Sequence, residues 1–164
     1  MLQAMKTTLR HRRLVMLTVA VVAMLLVGAA CNAGTQPGPP EAMLRLLELV
    51  NQARADNGVA PLQPCGPLGL AAAAHSHDMA EHGFLGHTGS DGSQPDDRAV
   101  RFGYGSRFVG ENAAVGPDTV EEVFLRWMNS PGHRQNILDP AYQHAGFSWF
   151  GGYWTQVFGA NGAC

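Results

Sequence analysis

The chain has 164 residues, 46% of them hydrophobic and 15% charged, with a formal net charge of −2. Four of its 11 basic residues (Lys6, Arg10, Arg12 and Arg13) precede residue 14, and all 13 acids lie at or after Glu41, so the chain beyond its basic start carries seven arginines and a net charge near −6. An acidic body without a basic cluster argues against nucleic acid as a partner, and a body of about 125 residues suits one domain with one core.

The N-terminus reads as a secretory leader. Its cationic start is followed by a weakly polar run from Leu14 to Ala30 that ends in Gly28, Ala29 and Ala30. That run is short for a spanning helix. Residues 1–30 are therefore expected to direct export. Cys31 follows at once, and Val27-Gly28-Ala29-Ala30-Cys31 resembles a bacterial lipobox, in which the cysteine is acylated. Cleavage near Ala30 without a lipid is the alternative. Residues 31–40, rich in Gly and Pro, read as a flexible tether, and residues 41–164 as the domain.

Within the domain, Met43, Leu46, Leu47, Val50 and Ala53 fall at helical spacing, which predicts a helix from Glu41 to Asn57 stopped by Gly58. A proline-rich loop leads to a second helix, Leu68 to His82, ended by Gly83. His75 and His77, two apart, point to different sides of it. A polar loop, Gly86 to Pro95, precedes a short helix reaching about Phe102. Gly103 to Gly110 breaks the pattern. Thr119 to Met128 reads as a helix with Val120, Val123, Phe124 and Trp127 on one side. Ser130-Pro131 opens a short helix ending near Leu138. Ala145–Phe150 and Tyr153–Phe158 read as strands around a Gly151-Gly152 turn. The sum is a helix-rich α+β chain with a small sheet. With Cys31 removed or lipidated, Cys65 and Cys164 remain as an even pair. In an oxidising compartment they are expected to form a disulfide, two free thiols being the alternative.

Five segments carry polar residues in an order that resembles one family. They are His75-Ser76-His77-Asp78-Met79-Ala80, the loop from His87 to Gly92, Gly110-Glu111-Asn112, the stretch Trp127 to Leu138, and Tyr153 to Gly159. Together they resemble the bacterial, SCP-like branch of the CAP superfamily, which includes cysteine-rich secretory, venom-allergen and plant pathogenesis-related proteins. The resemblance implies an α-β-α sandwich with a small antiparallel sheet between helical layers. It also implies a cleft that, where complete, holds two His and two Glu able to bind a divalent metal. Position by position, His87 matches the first His and Glu111 the first Glu. Ser130 stands where the second Glu belongs and Tyr153 where the second His belongs. His133, one helical turn after Ser130, is a further cleft candidate.

These residues suggest a polar cleft of His87, Glu111, Ser130, His133 and Tyr153. His87 and His133 are the candidate ligands for a divalent ion such as zinc, though no cofactor is required. Glu111 is the candidate general base, and Arg134 a candidate partner of Glu111 or Asp139. His82 and His144 read as surface residues, and most aromatics as core. There is no Gly-x-Ser-x-Gly elbow, no protease-like cysteine setting and no phosphate loop. The functional expectation is a binding module at the cell surface or exterior. Its ligand would be an envelope component, or a lipid-like molecule in an apolar groove, and a lipid on Cys31 would hold it to the membrane. A metal-assisted hydrolase of envelope polymers or peptides is the alternative.

Overall fold

The computed structural model describes residues 39–164, with side chains from Glu41; the expected leader and Cys31 lie outside the described residues. No helix among the described residues is long and apolar enough to cross a membrane. The described residues form one compact unit.

Nine elements follow in order: α1 Pro39–Asp56, β1 Gln63–Pro64, α2 Gly66–His82, α3 Pro95–Arg101, β2 Val109–Val115, α4 Val120–Met128, α5 Pro131–Leu138, β3 His144–Phe150 and β4 Tyr153–Gly159. Helix α1 buries Leu46, Val50 and Ala53, spaced by four and three residues as one helical face requires. Gly83, at φ 64, closes α2 in the left-handed conformation. Thr119 and Glu122 form a reciprocal capping box that opens α4. Gly151 and Gly152 both have positive φ, as the two-residue turn between β3 and β4 demands.

The sheet runs β1-β3-β4-β2. Its two long ladders are antiparallel, while the brief β1–β3 pairing is parallel, so the sheet is mixed and not purely antiparallel. On one face Leu46, Val50, Val123, Trp127, Ile137, Trp154 and Phe158 form the larger core. On the other, Leu68, Ala71, Ala72, Ala99, Tyr104 and Val157 form a second. The molecule is thus an α-β-α sandwich, with α1, α4 and α5 over one face and α2 and α3 over the other. Helix α2 approaches β3 backbone to backbone: a Cβ on Gly146 would lie 2.1 Å from the Gly69 nitrogen.

Two strands went unread in the sequence. Strand β1 is a two-residue pairing, and β2, Val-Gly-Glu-Asn-Ala-Ala-Val, shows no alternation because Glu111, Asn112, Ala113 and Ala114 are all buried. Strand β2 is also a sheet edge. The outward carbonyls of Glu111, Ala113 and Val115 accept from Asn136 Nδ2 at 3.2 Å, Trp127 Nε1 at 3.5 Å and Arg126 Nη1 at 2.7 Å. Side chains of α4 and α5 therefore occupy the carbonyls that another strand would use.

Candidate functional site

Glu111 sits on β2 opposite Val157, which belongs to the core beneath α2, and opposed residues of an antiparallel pair share a face. Its carboxylate therefore points to the α2–α3 side, where three cationic or protonatable groups converge. Arg98 of α3 donates from Nη2 to Oε2 at 2.8 Å. His87, in the loop after α2, meets Oε1 through Nδ1 at 2.9 Å. His75 Nε2 lies 3.4 Å from the same oxygen and hydrogen-bonds the Gly86 carbonyl at 2.8 Å. Three of these side chains are buried, with Glu111 1%, Arg98 3% and His75 0% exposed; the His87 side chain is 52% exposed.

The loop owes its shape to the same residues. Arg98 donates to the backbone carbonyls of Ser93 at 2.8 Å and His87 at 2.9 Å. His75 holds Gly86, and Asp78 accepts from both the backbone nitrogen and the hydroxyl of Ser90. The backbone around His87 is thus fixed by α2 and α3 together.

On the far side of β2, an amide network ties α5 to the sheet. Asn112 Nδ2 donates to the His133 carbonyl and to Gln156 Oε1, each at 3.2 Å, while Asn136 Nδ2 donates to Asn112 Oδ1 at 2.9 Å. The first of these bonds holds the His133 backbone against β2. The hydrogen bond to Glu111 raises the pKa of His87, with burial opposing it more weakly. Burial, and then the charge of His87, lowers that of His133. The His87 imidazole is thus shifted toward the charged form and that of His133 toward the neutral form. The Nδ1 of His133 is buried without a hydrogen-bond partner.

Ser130 is half-buried at the N-cap of α5, and its side chain makes no capping bond. Tyr153, half-buried, lies opposite Val115 on the same sheet face as Glu111, four residues along the ladder from Val157. The cation on Glu111 is Arg98, not Arg134, which is exposed on α5. His144 is half-buried and hydrogen-bonds the Tyr104 hydroxyl at 3.0 Å, so it is not a free surface residue. His82 is exposed beside Asp78. Arg98 was missed from sequence, while His75, Asn112 and Asn136 stood inside the quoted motifs without an assigned role.

A divalent ion fits this donor set poorly. Among the described residues no three His, Cys, Asp or Glu side chains gather as a metal site. Glu111 already faces a guanidinium, and the Nδ1 of His87 is committed to Glu111. Cys65 and Cys164 are joined in a disulfide with Cα atoms 5.0 Å apart.

The chain matches the family model described as CAP, the cysteine-rich secretory protein family, over residues 47–158. It is 40% identical over 116 residues to the uncharacterized protein YkwD of Bacillus subtilis, covering 70% of this chain and 45% of that one. It is 33% identical over 118 residues to the uncharacterized membrane protein YlbC of the same organism, covering 70% of this chain and 33% of that one. The chain therefore spans less than half the length of these relatives. An extracellular Bacillus anthracis protein containing an SCP domain superposes with a TM-score of 0.70 at 25% identity, over 75% of this chain and 41% of that one. An outer surface protein of Borrelia burgdorferi shares the fold, with a TM-score of 0.65 at 20% identity over 73% of this chain and 92% of that one.

Proposed function

Since the chain belongs to the CAP family of cysteine-rich secretory proteins, we propose that it is an exported binding module, held at the cell surface through Cys31, whose ligand meets the imidazolium of His87. The observation that carries this reading is the state of Glu111. Its two oxygens are taken by Arg98 and His87, with His75 close by and bonded to Gly86, so the carboxylate favours the charged form of His87 and is not free to take a proton from a bound water. His87 is the one member of that network at the surface. A charged imidazole there suits an acceptor group, such as the hydroxyl, carbonyl or carboxylate oxygens of an envelope polymer. The basic leader and the cysteine after its small-residue exit support export and lipid retention.

The test uses bacterial envelope fragments titrated against histidine-labelled protein. The His87 ring resonances are expected to shift, Glu111→Gln to weaken binding about tenfold as loss of a charge-assisted contact would, and the fragments to keep their masses. Fragment cleavage that depends on Glu111 would replace this reading with hydrolysis. One observation favours that second reading: His87 and His133 are shifted in opposite directions, as acid and base partners are.

A further inference from the structure

Away from His87, one apolar surface of the domain is left open to solvent. Met43, Leu44 and Leu47 of α1, the Pro64–Gly66 segment, and Ala145, Gly146 and Phe147 of β3 line an open groove of about 390 Å³. Leu44 is 58% exposed. Trp149 follows Phe147 by two residues and so projects from the same sheet face. It is 45% exposed, its ring 6.1 Å from that of buried Trp154. The strip runs from the start of α1 toward the β3–β4 hairpin and ends in a tryptophan, the side chain favoured where an apolar phase meets water.

The chain enters the domain beside this strip. Pro39, the first residue of α1, precedes Met43 by four residues, about 6 Å of helix rise. Cys31 lies eight residues before Pro39, a reach of at most about 28 Å of extended chain. A lipid on Cys31 therefore keeps a membrane surface within range of the groove. The charge near −6 beyond the leader disfavours an electrostatic contact with anionic lipid, so the contact must be apolar.

We propose that the α1–β3 groove, with Leu44 and Trp149, docks on the lipid surface to which Cys31 tethers the chain. This rests on the reading of Cys31 as the acylated residue. Glu111 and His87 belong to the opposite face of the sheet, so docking turns the site away from the bilayer and toward the envelope.

The experiment uses the chain from Cys31 coupled through that thiol to a maleimide phospholipid in neutral phosphatidylcholine vesicles, the Cys65–Cys164 bond intact. Trp127 and Trp154 are 0% and 3% exposed, so Trp149 is the accessible reporter, with Trp149→Phe as background. The expected result is severalfold stronger quenching of Trp149 by doxyl-labelled lipid than in Leu44→Glu, together with a loss of quenching by aqueous acrylamide. Acrylamide quenching unchanged from that of the unanchored protein would overturn the proposal. So would shielding of Trp149 that needs no vesicles and grows with protein concentration, which would assign the face to a second copy of the chain. The maleimide lipid supplies the anchor, so failure of natural acylation is read separately, from the mass of the exported protein.

Discussion

His87 and His133 make the sharpest statements at the scale of single residues, because their pKa values are displaced in opposite directions by causes that can be removed. Glu111→Gln takes away the carboxylate that holds the His87 proton, so the His87 pKa should fall, as read by histidine NMR titration, while the fold persists. The raised folded value means that the His87–Glu111 contact stabilises fully below the unfolded value of about 6.5 and that this contribution is lost as pH rises through the folded pKa. His133 runs the other way. Its lowered folded value gives a contribution present above about 6.5 and lost as pH falls through its own folded pKa. No movement of His87 in the Gln variant would separate it from Glu111. Arg98 carries a second expectation. Arg98→Met leaves the Glu111 carboxylate buried without its guanidinium and should cost about 3–5 kcal/mol in denaturant melts, whereas a paired Arg98→Met, Glu111→Leu change should cost less than Arg98→Met alone. His87 and Glu111 could be singled out in sequence because each sits in a short motif. Arg98 could not: in Pro-Asp-Asp-Arg-Ala-Val-Arg it looks like any helix-surface arginine, and only the packing of α3 under the loop makes it a buried partner. Nor does Ser76 beside His75 announce that His75 faces inward while His77 stacks on Phe150 at 3.6 Å.

Helices are where the chain was most legible, because each stripe and stop signal acts locally. Leu46, Val50 and Ala53 mark α1, Thr119 opens α4, and Pro131 opens α5. Strand β2 defeats the same reasoning because its residues answer to tertiary neighbours. Ala113 and Ala114 are small so that layers above and below can close on them, and Glu111 and Asn112 are polar because they serve the site and the amide network. Trp127 joins the two kinds of element. It is fully buried on α4 at the centre of the larger core, and its indole nitrogen reaches the outward carbonyl of Ala113 on β2. Trp127→Ala should therefore cost about 3–5 kcal/mol, seen as a lowered melting temperature, and should also loosen the β2 edge in hydrogen exchange. A melting temperature equal to that of the parent would contradict the helix register. Arg54 makes a comparable junction by hydrogen bonds alone. Fully buried on α1, it donates to the carbonyls of Ala60, Ile137, Asp139 and Tyr142 and so fixes the end of α1 against the end of α5.

For the whole domain, the Cys65–Cys164 bond is the long-range covalent constraint. Cysteine number alone pointed to the pair, since removal or lipidation of Cys31 leaves two, and the fold explains why they meet. Cys65 caps α2 where α2 lies on β3, and β4 returns the chain to that same end of the sheet, its last residue Gly159 paired with His144 beside the β1–β3 contact. The cysteines are 99 residues apart, so the crosslink encloses every element after β1, leaving α1 and β1 outside. Closing a loop of that length removes about 4–5 kcal/mol of unfolded-state entropy in the chain-entropy model, and removal of such bonds usually costs 2–5 kcal/mol. A Cys65→Ala, Cys164→Ala variant should therefore lose about 2–5 kcal/mol in urea melts. Under reducing conditions the chain would lack this contribution. Intact mass with and without reductant reports whether the bond has formed, and a parent protein that melts identically in both conditions would show that the domain stands without it.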